Sequence, residues 1–178
     1  MHIIDTKFKG LKIIQQKKYP DSRGNLKVTY IKKIVKWNDL IFDYATTSKK
    51  NVLRGFHFQS KFPQAKYVTV LKGKILDYVV DLRKKSKTFG KSFRIILSEN
   101  NCKALYIPEG FGHSYYSFSK INIIYYKLSN YYHPEYEDGI LWNDKSLKFK
   151  SPVKKPIISQ KDKKLKTFID YKSVYKGI

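Results

Sequence analysis

From residue 66 onward, apolar and polar positions alternate over short runs broken by turn residues, the two-residue period of strands rather than the 3.6-residue period of helices. Lys66–Lys72 (KYVTVLK) and residues 74–82 (KILDYVVDL) flank Gly73 and predict two strands joined as a hairpin. Ser92–Ser98 (SFRIILS), Lys103–Ile107 (KALYI), residues 113–118 and Ile121–Leu128 follow at close spacing. This rhythm predicts an all-β sandwich or barrel rather than alternating βαβ units. Helical periodicity is weak, and only residues 35–40 and the tail after Ser159 leave room for short peripheral helices. No internal repeat or Pro/Gly-rich hinge divides the chain, so residues 1–178 read as one domain, with a polar, basic and loosely ordered tail expected over 171–178.

Composition narrows the class. An apolar fraction of 42% with 16% aromatics supports a packed core in a 178-residue chain. No apolar run approaches the roughly 18 residues of a membrane helix, and residues 1–14 lack a signal-peptide core, so a cytoplasmic protein with no membrane association is expected. Cys102 has no partner in the chain, which fits a reducing compartment. The net charge of +23 invites a nucleic-acid reading. However, arginine, the residue suited to bidentate phosphate and base contacts, is confined to Arg23, Arg54, Arg83 and Arg94, and the lysines are scattered in short clusters. The charge is therefore read as a solvated surface whose field draws in a small anionic substrate, and no nucleic-acid partner is expected.

Two histidines stand in patterned surroundings. In Leu53-Arg54-Gly55-Phe56-His57-Phe58-Gln59, strand alternation puts His57 on one face with Gly55 and Gln59, opposite Phe56 and Phe58. Alone, such a histidine reads as a surface residue on an edge strand rather than one facing a polar cavity. Pro108-Glu109-Gly110-Phe111-Gly112-His113 is a turn entering a strand, and this Pro-x-Gly-x-x-His pattern resembles the second motif of the cupin superfamily. Metal cupins pair that histidine with a His-x-His and a Glu; here Gln59 takes the partner position and no Glu follows at short spacing, a poor donor set for a transition metal. A cupin-type jelly roll with no metal and no cofactor is expected.

The ordered set of motifs is more specific than any one of them. Asp21-Ser22-Arg23-Gly24, the stretch 51–59, Gln64-Ala65-Lys66, Asp81-Leu82-Arg83, Thr88-Phe89-Gly90, 107–113, Tyr126-Lys127, Asn130-Tyr131-Tyr132, Trp142-Asn143-Asp144 and Ser159 with Lys161-Asp162 together resemble the dTDP-4-dehydrorhamnose 3,5-epimerases. The resemblance implies inversion of C3 and/or C5 of a nucleoside-diphosphate 4-keto-6-deoxyhexose. It makes His57 the base, Asp162 the carboxylate that pairs with it, Tyr126 the acid and Lys66 a cation near the keto oxygen. A neutral imidazole suits proton abstraction near pH 7, and a phenol with an ordinary pKa of about 10 can return a proton. Periodicity alone leaves Tyr125 and Tyr126 open, because Ile123 and Ile124 make both faces apolar. The resemblance also implies substrate contacts from Arg23, Arg54, His113, Tyr132, Glu137 and Lys161, and a homodimer whose sites draw on both chains. Departures fall at Val28, where the family carries an acidic residue, and at Phe42 and Tyr44, since a nucleotide-gripping Gln-Asp-Asn reads Phe42-Asp43-Tyr44 here. Two alternatives stand beside the epimerase: a 3,4-ketoisomerase on a similar substrate, and a sugar-nucleotide-binding module without chemistry.

Overall fold

A computed structural model describes residues 1–147, 149 and 151–175. Its strands are β1 (His2–Asp5), β2 (Lys12–Gln15), β3 (Lys17–Asp21), β4 (Gly24–Val28), β5 (Phe42–Lys49), β6 (Leu53–Gln59) and β7 (Lys66–Lys72), followed by β8 (Lys74–Asp81), β9 (Ser92–Ser98), β10 (Lys103–Ile107), β11 (Phe111–Ser117), β12 (Ile121–Leu128) and β13 (Glu137–Ile140). One α-helix, α1 (Phe168–Val174), follows them. Two antiparallel sheets, ordered β1-β2-β10-β7-β12-β5 and β13-β6-β11-β8-β9, form the predicted all-β jelly roll, with β3 and β4 as a separate two-stranded arm.

Each sheet is covered behind as well as in front at its centre, so β7, β8 and β11 are buried on both faces over most of their length. Between the sheets, Val68, Val70, Ile124 and Leu128 meet Ile75, Val79, Leu97 and Phe111. Behind the five-stranded sheet, Phe56, Phe58, Tyr78 and Val80 pack against Phe168 and Tyr171 of α1. Behind the other, Ile14, Tyr67, Ala104 and Tyr106 are covered by Val35 and its flanking loop.

Two expectations need correction. Gly73 does not close a hairpin: β7 pairs with β10 and β12 in one sheet, whereas β8 pairs with β11 and β9 in the other. The turn is an inter-sheet corner, where Gly73 adopts φ +84° and a Cβ would sit 2.5 Å from the Ile121 carbonyl oxygen. The loose tail expected from Tyr171 is instead helical through Val174. Thr167 and Asp170 form a reciprocal capping box, and the buried Tyr171 donates to the Leu82 carbonyl at 3.0 Å. The rest of that expectation, 176–178, lies outside the described residues.

Candidate active site

A cavity of about 290 Å³ lies between the sheets. Its walls include Tyr44, Thr46, Lys66 and Tyr126 from the six-stranded sheet and Arg54, His57, His113, Tyr115 and Glu137 from the five-stranded one, with Lys161 and Asp162 from the C-terminal connection.

Backbone irregularity arranges the β6 side chains. Along β6 and β11 the pairing steps from His113↔His57 to Tyr115↔Arg54, so β6 carries one extra residue opposite Ser114. Such a bulge shifts the alternation by one. Arg54 and His57, three apart, consequently both line the cavity, while Phe56 stays in the outer core.

His57 Nε2 lies 3.0 Å from Asp162 Oδ1, and the Gly55 backbone N–H donates to Asp162 Oδ2 at 2.8 Å. Asp162 is itself held by its backbone N–H, which donates to Ser159 Oγ at 3.0 Å. Burial pushes this carboxyl up, but the His57 hydrogen bond and charge, with the Gly55 N–H and Ser159, outweigh it and bring the pKa down to about 2. The second imidazole nitrogen, Nδ1, points toward Glu137 Oε1 at 3.9 Å. Burial raises Glu137, yet its ion pair with Lys161 and a 2.8 Å hydrogen bond from Tyr132 Oη keep its pKa below the ordinary value.

Strand β12 resolves the tyrosine pair. Asn122, Ile124, Tyr126 and Leu128 point inward, and Tyr125 points out to donate to Asp43. The Tyr126 ring is nearly buried, stacked on Tyr44 at 4.9 Å between centroids and met edge-on by His113 at 5.8 Å. Among the described residues none hydrogen-bonds to its hydroxyl. Burial, reinforced by Tyr115, Tyr44 and Asp77, raises its pKa well above 10 and keeps it protonated.

Lys66 is buried on β7 and donates to Gln64 Oε1 at 3.0 Å. Burial lowers its pKa to about 8, against a smaller upward pull from Glu137. Gln64 Nε2 in turn donates to the carbonyls of Asn130 and Tyr131, at 3.1 and 3.0 Å. Gln59, at the cupin ligand position, has its amide committed to the same loop: it donates to Phe62 and Tyr131 carbonyls and accepts from the His133 N–H at 2.8 Å. The two glutamines thus hold Tyr132 at the cavity mouth. Among the described residues, no cluster of three or more His, Cys, Asp or Glu side chains is arranged to hold a metal ion.

The other expected residues divide. Arg54, His113, Tyr132, Glu137, Lys161 and Tyr44 line the cavity. Phe42 is partly buried at the edge of the inter-sheet core, and Asp43 faces outward, bonded to Tyr125 and 3.6 Å from Lys127. Arg23 sits at the tip of the β3–β4 arm, paired with Asp21 at 2.7 Å and 88% exposed. Two site residues escape sequence reading. Tyr115 Oη gathers Arg54 Nε at 2.9 Å, Ser48 Oγ at 2.8 Å and Thr46 Oγ1 at 3.2 Å. Asp77 Oδ2 lies 2.8 Å from His113 Nε2, and its other oxygen is buried without a partner among the described residues. The available signal for Asp77 is a carboxylate in the middle of the apolar run KILDYVVD.

Comparison with known proteins accords with this geometry. The family model described as dTDP-4-dehydrorhamnose 3,5-epimerase matches residues 5–170. The dTDP-4-dehydrorhamnose 3,5-epimerase of Methanothermobacter thermautotrophicus is 39% identical over 170 residues, 92% of each chain. That of Shigella flexneri is 36% identical over 96% of this chain and 97% of its own. The crystal structure of dTDP-6-deoxy-D-glucose-3,5-epimerase from Legionella pneumophila, in complex with dTDP-4-keto-L-rhamnose, superposes with a TM-score of 0.90 at 37% identity, covering 94% of this chain and 93% of that one.

Proposed function

The chain belongs to the dTDP-4-dehydrorhamnose 3,5-epimerase family, and on that premise we propose that it inverts C3, C5 or both of a nucleoside-diphosphate 4-keto-6-deoxyhexose in deoxysugar biosynthesis. The observation that carries this reading is the pairing of one base and one acid from opposing sheets. His57, backed by Asp162, comes from β6, and the Tyr126 phenol, without a hydrogen-bond partner among the described residues, comes from β12. A proton beside the C4 ketone is removed from one face of the sugar by His57 Nδ1, because Nε2 is engaged by Asp162. The carbanion delocalises onto the keto oxygen as an enolate, near the Lys66 ammonium, and Tyr126 delivers a proton to the opposite face. Asp162, charged at neutral pH, stabilises the imidazolium formed on abstraction. Arg54, Lys161 and His113 supply donors for the diphosphate, and Tyr132 a ring for the sugar or base. No step calls for a cofactor or metal.

The test is direct. Purified protein in deuterium oxide, given a panel of 4-keto-6-deoxy sugar nucleotides, is expected to place deuterium at C3, C5 or both and to invert the labelled centres. Migration of the carbonyl to C3 would support the ketoisomerase instead, and binding without exchange would support the non-catalytic module.

We also read the protein as a homodimer in the cytoplasm. Arg23 stands outside its own chain's cavity on an arm that exposes Tyr19 and Leu26, which supports its serving the partner's site. Mixing Arg23→Ala chains with His57→Asn chains should then restore activity that neither variant has alone; no restoration would place Arg23 in its own chain's site. Among the described residues, no helix is long and apolar enough to cross a membrane.

A further inference from the structure

The acid position shows a feature that belongs to this chain's own residues. A phenol that must give its proton to a substrate is poorly served by a hydrogen bond to a protein acceptor, because that acceptor would take the proton's place in line. The Tyr126 hydroxyl has no such bond among the described residues, so its ring must be oriented by packing alone. Two rings do this. His113 meets it edge-on at 5.8 Å, and Tyr44, paired directly opposite on the neighbouring strand (Tyr126↔Tyr44), lies against its face at 4.9 Å and 24°. His113 is fixed by its 2.8 Å contact with Asp77. Tyr44 is fixed by the ladder between β5 and β12 and by Phe42, 5.8 Å away along the same face. Its hydroxyl, like that of Tyr126, meets no hydrogen-bond partner among the described residues, so the contact is one of ring on ring.

We propose that Tyr44 is a positioning residue for the acid step: its ring holds the Tyr126 phenol in the rotamer that delivers a proton to the face opposite His57, and so sets how often an abstracted proton is followed by inversion rather than by return to the original face. The proposal rests on the epimerase reading above and adds to it a residue outside the base, the acid and the enolate cation. Stacked aromatic pairs shift a local equilibrium by about two- to tenfold. Loss of the stack therefore changes the partition of the enolate by that order. It leaves abstraction by His57 untouched, because His57 and Asp162 stand on the other wall.

The experiment compares the rate of solvent-deuterium exchange with the rate of inversion in wild type, Tyr44→Phe and Tyr44→Leu, using the full chain and the substrate the wild type accepts. Tyr44→Phe keeps the ring and is expected to keep the wild-type ratio of exchange to inversion. Tyr44→Leu removes it and is expected to raise the ratio of exchange to inversion by about three- to tenfold. A purely structural role would lower both rates together and leave the ratio constant, and that result would overturn the proposal. So would a Tyr44→Phe variant whose ratio shifts as much as that of Tyr44→Leu, since it would assign the effect to the hydroxyl. If Tyr44→Leu does not fold, Tyr44→Met supplies the same ring deletion with a longer side chain. Absence of exchange in the wild type with every 4-keto-6-deoxy sugar nucleotide would instead remove the epimerase reading, and the proposal with it, whereas a constant ratio removes only the role of Tyr44.

Discussion

Two histidine–carboxylate pairs flank the cavity, built to the same drawing but with carboxyl groups shifted in opposite directions. His57–Asp162 sits near the mouth, its imidazole side chain 29% exposed, and Asp162 receives His57, the Gly55 N–H and the help of Ser159. His113–Asp77 sits deeper, with side chains 7% and 0% exposed, and among the described residues Asp77 has His113 alone while its second oxygen is unpartnered. Burial opposes ionisation in both. Donors overcome it at Asp162, bringing the pKa down to about 2, but at Asp77 burial prevails over His113 and the carboxyl is raised. A carboxylate surrounded by donors holds its negative charge and can support an imidazole that must become positive. A carboxyl starved of them serves to orient a ring. The first pair is thereby equipped to support a base; the second holds His113 against Tyr126.

Substituting each histidine separates the two pairs most sharply. His57→Asn is expected to lower proton exchange by about 10²–10⁴-fold, the usual contribution of a general base. His113→Asn should weaken substrate binding and inversion while leaving exchange within about tenfold of wild type, since it removes no base. Exchange measured by proton NMR in deuterium oxide decides it, and equal losses would mean that both pairs abstract protons.

Lys66 extends the comparison to a buried cation. Replacing it with Met should cost about 10²–10³-fold in kcat, as for loss of an enolate-stabilising donor. Its pKa of about 8 gives the wild-type pH profile a limb that falls as pH rises through 8, when the ammonium loses its proton. Lys66→Arg should move that limb upward, and an unchanged limb would assign it to another group.

Stability should distinguish the two carboxylates by sign. Asp162 is depressed from an unfolded value near 4, so it stabilises the fold above pH 4, by about 2 kcal/mol, and that contribution is lost as pH falls from 4 toward 2. Asp77 is raised, so its unfavourable ionisation is absent below pH 4 and grows as pH climbs from there toward its folded pKa. Denaturation of Asp162→Asn and Asp77→Asn against wild type between pH 3 and pH 6 is expected to give differences that change in opposite directions with pH. Parallel trends would show that the two carboxylates ionise alike.

The smallest effect concerns metal. Gln59 has its amide committed to the 131–133 loop, and exhaustive chelation should change the rate by less than about twofold. A loss restored by a divalent ion would contradict this.

How far the sequence disclosed this arrangement depended on which force governed each residue. Strand periodicity was enough for the all-β fold and for placing His57 opposite Phe56 and Phe58, because the two faces of β6 meet different surroundings, a polar cavity on one side and an aromatic core on the other. It could not show the bulge that brings Arg54 round to the side of His57, since a bulge is a property of two strands in register. Gly73 marked a turn correctly but not which sheets it joins, as turn chemistry is local and sheet partners are not. Asp43 belonged to a replaced motif yet points outward, and Arg23 lies on the arm, because neighbouring positions on a strand face opposite ways and an arm points where its docking partners allow. Asp162, 105 residues from His57, was legible only through resemblance, for nothing local in a lysine-rich tail distinguishes it. Asp77 went unread because its partner is brought to it by the β8–β11 ladder.

The central claim is that base and acid come from opposite sheets and act on opposite faces of one carbon. Tyr126→Phe tests it most directly, because it keeps the ring and its stack on Tyr44 while removing the only proton it can give. With the wild-type substrate in deuterium oxide, this variant should continue to exchange substrate protons through His57 and should form inverted product about 10²–10⁴-fold more slowly than wild type. Inversion at the wild-type rate, or loss of exchange equal to the loss of inversion, would contradict the division of labour between His57 and Tyr126.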